Sequence, residues 1–121
     1  MSSPERVYRI VSAEAWERAQ HEGCLTPNAF DAASGFMHLS ARDEVLESAR
    51  RYFSAASQPM ALEIPTHRLG AELVWEQVAA RGNVAFPHLY ATEVNVDDVS
   101  AVFPLRPAND GSYTWGSPHC P

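Results

Sequence analysis

Apolar and polar positions along this chain change period several times, and each change marks an element. Val7-Tyr8-Arg9-Ile10-Val11 is β-branched and aromatic and predicts a strand, preceded by the polar lead-in Met1 to Arg6. Ser12 suits a helix N-cap, Glu14 suits a first turn, Trp16, Ala19 and Gln20 share one helical face, and Gly23 offers a stop. Cys24 to Ser34 contains Thr26-Pro27-Asn28 and Asp31-Ala32-Ala33-Ser34 and predicts a loop of about ten residues, long enough to bind or gate. In Gly35 to Ser40 a period of two sets Met37 and Leu39 on one side of a short strand and Phe36, His38 and Ser40 on the other. Ser40 also suits an N-cap, with Asp43 three positions on, for a helix whose stripe is Val45, Leu46, Ala49, Tyr52 and Phe53. Met60 to Ile64, Leu73 to Glu76, Phe86 to Tyr90 and Val99 to Leu105 predict further strands, with a helical turn at Asp97-Asp98.

This order predicts an α+β fold, two helices in the N-terminal half packed on small mixed sheets. Four of the nine prolines lie from Pro104 onward, so residues 106–121 are expected to be an irregular tail on a core of residues 7–105. The 121 residues suit a single domain over 1–121.

Fifteen acidic residues against nine basic ones give a formal charge of −6, which repels nucleic acid and anionic membrane. All nine basic residues are arginine, and without lysine there is no Schiff-base or P-loop lysine chemistry. Cys24 and Cys120 are too few and too far apart for a disulfide framework and are expected to be reduced. The chain has no apolar stretch of about 18 residues and no signal-peptide core, so a cytoplasmic location is expected.

Candidate chemistry centres on His38 and Ser40, which project the same way and could grip a ribose or phosphate. The competing reading has Ser40 capping a helix and His38 bonding a backbone carbonyl. Arg9, inside a strand otherwise made for burial, must meet a carboxylate, a ligand phosphate or solvent. Glu76 and Glu93 end strand-like segments, where a proton-handling or oxocarbenium-stabilising carboxylate belongs, although solvated loop carboxylates are commoner. His88 and Tyr90 share a face and could stack a base or nicotinamide; packing explains Tyr90 equally well. The five histidines have no metal-ligand spacing, so no metal site is expected, and joining His38 to His88 would need tertiary convergence.

The succession Val7 to Val11, Trp16, Gly35-Phe36-Met37-His38-Leu39-Ser40, Leu62-Glu63-Ile64, Leu69-Gly70, Trp75-Glu76 and Phe86 to Tyr90 resembles a small bacterial family classified as a domain of unknown function. That family looks like a minimal ADP-ribosyltransferase fold, and its motifs are similar to those of the catalytic domain of RNA 2′-phosphotransferases. The resemblance implies two small sheets splayed around a cleft, with Arg9 on the first strand and His38 and Ser40 facing the ribose side. Ile10 stands where active members often carry glycine, and neither Glu76 nor Glu93 lies in an ExE motif. The resemblance implies a small nucleotide of the NAD or ADP-ribose type as ligand, with NAD a substrate and no tightly bound cofactor. Catalytic candidates are then His38, Glu76 and Glu93, and ligand-binding candidates Arg9, Ser40, His88 and Tyr90. The alternatives are a non-catalytic module that binds a metabolite or protein, and a cleft filled by the chain's own tail through Tyr113, Trp115 and His119.

Overall fold

A computed structural model describes residues 4–121; Met1 to Ser3, part of the expected polar lead-in, lie outside the described residues. The first strand, β1 (Arg6–Val11), is followed by α1 (Ala13–Glu22). The helix begins where Ser12 Oγ accepts from the Ala15 amide and ends at Gly23, whose φ of 89° is one glycine adopts freely. Next come β2 (Cys24–Leu25), α2 (Ala29–Ser34), β3 (Met37–His38) and α3 (Val45–Tyr52). Six strands joined by 3-10 turns and loops follow: β4 (Met60–Pro65), β5 (Leu73–Val78), β6 (Val84–Leu89), β7 (Val94–Asn95), β8 (Ala101–Pro107) and β9 (Tyr113–Trp115). The expected turn at Asp97-Asp98 is a 3-10 turn over Val96–Asp98.

These strands form three antiparallel sheets, in the orders β1-β4-β8-β9, β3-β6-β5 and β2-β7. The fold is α+β as expected, but every pairing among the described strands is antiparallel where mixed sheets were anticipated: β5–β6 and β8–β9 are joined by short connections that permit only this direction, and the strands paired from distant parts of the chain, such as β1 with β4 and β4 with β8, also run in opposite directions. Among the described residues a single bridge joins the two larger sheets: the Tyr8 and Ser40 backbones exchange two hydrogen bonds of 2.8 Å.

Strand β1 is buried on both faces, and its alternation divides the core. Val7 and Val11 face Trp16 and Ala19 of α1 together with Leu62 and Ile64 of β4. Tyr8 and Ile10 face Val45 and Ala49 of α3 with Ala61, Phe103, Leu105 and Tyr113. Each large side chain so buried contributes about 1.5–3 kcal/mol relative to exposure. Arg9 falls on the α1 side of this doubly covered strand and is only 3% exposed.

Three expectations are corrected. The segment expected to be loop contains α2, built on a reciprocal cap in which Asn28 Oδ1 accepts from the Asp31 amide and Asp31 accepts from the Asn28 amide. The tail is not irregular, because the alternating Tyr113-Thr114-Trp115 completes the four-stranded sheet against Leu105 to Pro107, and His119 bridges Val102. Its aromatic residues pack on that sheet, with Trp115 against Tyr8 and Phe103, so the tail does not fill the cleft. Ser40 is not a helix cap: Ala41 holds the cap position of the 3-10 turn Arg42–Glu44, which leads into α3. Among the described residues no helix is long and apolar enough to cross a membrane.

Candidate functional site

A cavity of about 500 Å³ opens where Ile10 of β1, α2, α3 and the three-stranded sheet meet. The period of β3 accounts for most of its contents: Phe36, His38 and Ser40 line the cavity and Met37 is buried in the core, while Leu39, also in the core, reaches the cavity wall as well. Antiparallel register sets His38 directly opposite His88 of β6, so both histidines reach the same space. Their rings lie 5.9 Å apart, centroid to centroid. Phe36 contacts both, at 4.6 Å from His38 and stacked at 3.9 Å on His88, and Phe30 stacks on the other side of His38 at 4.2 Å.

Each imidazole is held from behind by a carboxylate. Asp31 Oδ1 lies 2.7 Å from His38 Nδ1 and also accepts from the His38 amide at 3.0 Å. Its other oxygen accepts from Arg9 Nη2 at 2.6 Å and from the Asn28 amide at 2.8 Å. Burial pushes the Asp31 carboxyl up, but the hydrogen bonds from His38 and Arg9 and the guanidinium charge outweigh it and hold the group well below the usual carboxylate range. An ionised carboxylate has no proton to give, so His38 Nδ1 carries the hydrogen and Nε2 is the nitrogen left for a ligand.

The second pair repeats this arrangement with different surroundings. Glu76 Oε1 lies 2.8 Å from His88 Nδ1 and accepts from the Tyr90 hydroxyl at 2.6 Å. Those two hydrogen bonds, the Tyr90 one first, lower the Glu76 carboxyl from its ordinary value, and the same bond raises the Tyr90 phenol. Glu76 stands opposite Phe86 in the ladder, so it reaches His88 diagonally across one strand. Among the described residues neither histidine Nε2 has a hydrogen-bonding partner in the protein.

The remaining candidates separate. Ser40 lines the cavity and donates to Ser48 Oγ at 3.4 Å. Arg9 does not line it: Nη1 and Nη2 are spent on Asp31 and on the carbonyls of His38 and Thr26, so of the three partners open to it the guanidinium takes a carboxylate. Its Nε is buried with no partner among the described residues. Tyr90 is 44% exposed beyond the cavity wall, where it supports Glu76. Glu93 lies beside Cys24, away from both histidines; partial burial and that carboxylate push the Cys24 thiol up, which disfavours a reactive thiolate.

The cation in the cavity is one that the sequence did not single out. Arg81 is buried to 5% side-chain exposure, donates to Ser48 Oγ at 2.9 Å and to Glu44 at 3.0 Å, and lies 4.6 Å over the Phe86 ring. Asp31 was also missed, although its Asn28-Ala29-Phe30-Asp31 cap spacing is a legible signal. Chemically, the site combines flat aromatic walls for a ring, two unengaged imidazole nitrogens for proton transfer or hydroxyl binding, and one arginine for an anion.

A crystal structure of CC0527 from Caulobacter crescentus is 33% identical and superposes with a TM-score of 0.81, over 90% of this chain and 93% of that one. The solution NMR structure of CC0527 is likewise 33% identical, with a TM-score of 0.75 over 90% of this chain and 91% of that one. No curated protein matches the chain. The profile of a family described as "Protein of unknown function (DUF952)" matches residues 10–102, and with the histidine-bearing strands inside that span the chain belongs to the DUF952 family.

Proposed function

We propose that the cavity binds a small nucleotide of the NAD or ADP-ribose type, on a fold of the ADP-ribosyltransferase kind. The observation that carries this reading is the pair His38 and His88, each held at Nδ1 by a carboxylate, each with Nε2 unengaged among the described residues, and both lining an aromatic-walled space of about 500 Å³. Such walls suit a planar base, and the size suits a mononucleotide or one half of a dinucleotide. His38 and Ser40 meet the ribose hydroxyls, Phe30 and Phe36 offer faces to the ring, and Arg81, in place of Arg9, meets phosphate. NAD is a substrate or a bound metabolite here and is not a resident group.

The test is titration with NAD and with ADP-ribose, followed by NMR shifts and by thermal stabilisation. At ligand concentrations near 100 times Kd, stabilisation of about 2.7 kcal/mol is expected. His38→Ala and Phe36→Ala are expected to weaken it. No response from the wild-type protein to either ligand, or an identical response in both variants, would overturn the assignment.

A further inference from the structure

No carboxylate lines the cavity among the described residues; Asp31 and Glu76 both stand behind an imidazole. Glycosidic cleavage through an oxocarbenium ion calls for a carboxylate at the reacting carbon. Hydrolysis of a phosphoester calls for a group that takes a proton and another that gives one, and two imidazoles on one wall supply both. We propose that the cavity hydrolyses a cyclic phosphodiester on the ribose of a small nucleotide, of the nucleoside 2′,3′-cyclic monophosphate class, with His38 as general base and His88 as general acid. This rests on the nucleotide reading of the same cavity and adds the bond that is broken.

The charges around the two pairs assign the roles. Asp31 already faces the Arg9 guanidinium at 2.6 Å, so the carboxylate behind His38 is compensated and the imidazole serves as an acceptor through Nε2. Glu76 has, besides His88, only the neutral Tyr90 hydroxyl, so a proton carried by His88 stands opposite an uncompensated carboxylate. The groups facing His38 are Asp31 of α2, Arg9 of β1 through the His38 carbonyl, Phe30, Phe36 and His88. Those facing His88 are Glu76 of β5, Phe36 and His38.

The step balances without a further reactant. His38 Nε2 takes a proton from water as the water oxygen bonds to phosphorus. The bond from phosphorus to O2′ breaks, its electron pair stays on O2′, and that oxygen takes the proton from His88 Nε2. The product is the 3′-monoester with a free 2′-hydroxyl. Proton exchange with solvent then restores neutral His38 and protonated His88. Arg81 is the one arginine among the described lining residues; with Nη2 on Glu44 and Nη1 on Ser48 it meets the phosphate through its remaining donors, with part of its charge already balanced by Glu44. A single such cation, a cavity of about 500 Å³ and a net charge of −6 favour a mononucleotide over a polynucleotide.

Phosphorus NMR of the wild-type protein with adenosine 2′,3′-cyclic monophosphate is expected to show the cyclic resonance replaced by that of a single monoester. His38→Ala and His88→Ala should each slow this at least ~100-fold while melting remains cooperative. Glu76→Gln, an isosteric change at a half-buried positioning residue, keeps the fold even if the histidine variants do not. It should lower kcat with little change in KM and move the alkaline limb of the rate profile to lower pH, because the acid loses its carboxylate. Chemical-shift titration with adenosine 3′-monophosphate reads binding separately. A wild-type protein that binds this nucleotide without hydrolysing the cyclic one overturns the acid–base proposal and leaves the nucleotide reading standing. Failure to bind it, NAD or ADP-ribose overturns both. A Glu76→Gln rate profile identical to wild type removes His88 as the acid.

Discussion

Replacing Asp31 by asparagine should be among the most damaging isosteric changes available in this fold. Asp31 is 1% exposed and is reached by Arg9, His38 and the Asn28 amide, so the substitution preserves volume while removing the charge opposite a guanidinium that is itself 3% exposed. A buried ion that loses its counter-charge costs about 3–5 kcal/mol. For a chain of this length about 3–5 °C of melting temperature accompanies each kcal/mol, so thermal denaturation near pH 7 should show a loss of about 10–20 °C. The double variant Arg9→Met/Asp31→Leu, which removes both charges, should recover at least half of that loss, the remainder coming from the stranded Asn28 and His38 donors. The sign with pH is also fixed. The folded-state Asp31 carboxyl is held below its unfolded value, so its stabilisation is complete above about pH 5, and falls as pH drops below the ordinary aspartate value of about 3.9. Asp31→Asn should therefore flatten the acid arm of the stability curve. A variant that melts within about 3 °C of wild type, or loses stability in acid along the same curve, would show that the pair does not carry this energy.

Three further outcomes follow from particular contacts. A Cβ on Gly116 would lie 2.6 Å from the Pro104 carbonyl oxygen, to which the Gly116 amide donates at 2.7 Å, so Gly116→Ala should lower the denaturation midpoint by about 1–3 kcal/mol; an unchanged midpoint refutes that crowding. Deleting residues 108–121 removes β9 and uncovers Tyr8 and Phe103, and should lower the melting temperature, whereas an irregular appendage would leave it unchanged when tested in the same scan. Phe36→Ala removes the ring touching both histidines and should weaken nucleotide binding up to about tenfold by titration, since aromatic stacking contributes about 0.5–1.5 kcal/mol; undiminished affinity would take the base stack away from that wall.

What was legible in the sequence was what a strand or helix states locally. Period two in Gly35 to Ser40 put Met37 in the core and Phe36, His38 and Ser40 on the cavity, with Leu39 belonging to the core and touching the cavity wall, and Ser12 with Gly23 bounded α1. What was not legible depended on register. Glu76 meets His88 only because β5 and β6 pair with Glu76 opposite Phe86, and a shift of one residue would turn that carboxylate to the other face. The pairing of His38 with His88 likewise comes from two strands separated by about two fifths of the chain, and histidine spacing along the sequence carries no trace of it. Arg9 shows how far local reasoning reaches: an arginine inside an apolar strand must find a counter-charge, but naming Asp31 required seeing that Asn28 and Asp31 cap each other and so make a helix within an apparent loop. That cap has a consequence for the site. Asp31 at once completes the capping box with the N-cap Asn28, serves as the counter-ion of Arg9 and supports His38, so the start of α2, the buried arginine and the proposed base are joined at one carboxylate. A segment read as a loop long enough to bind or gate instead contains a capped helical turn, and it carries Phe30 onto the His38 ring at the cavity wall.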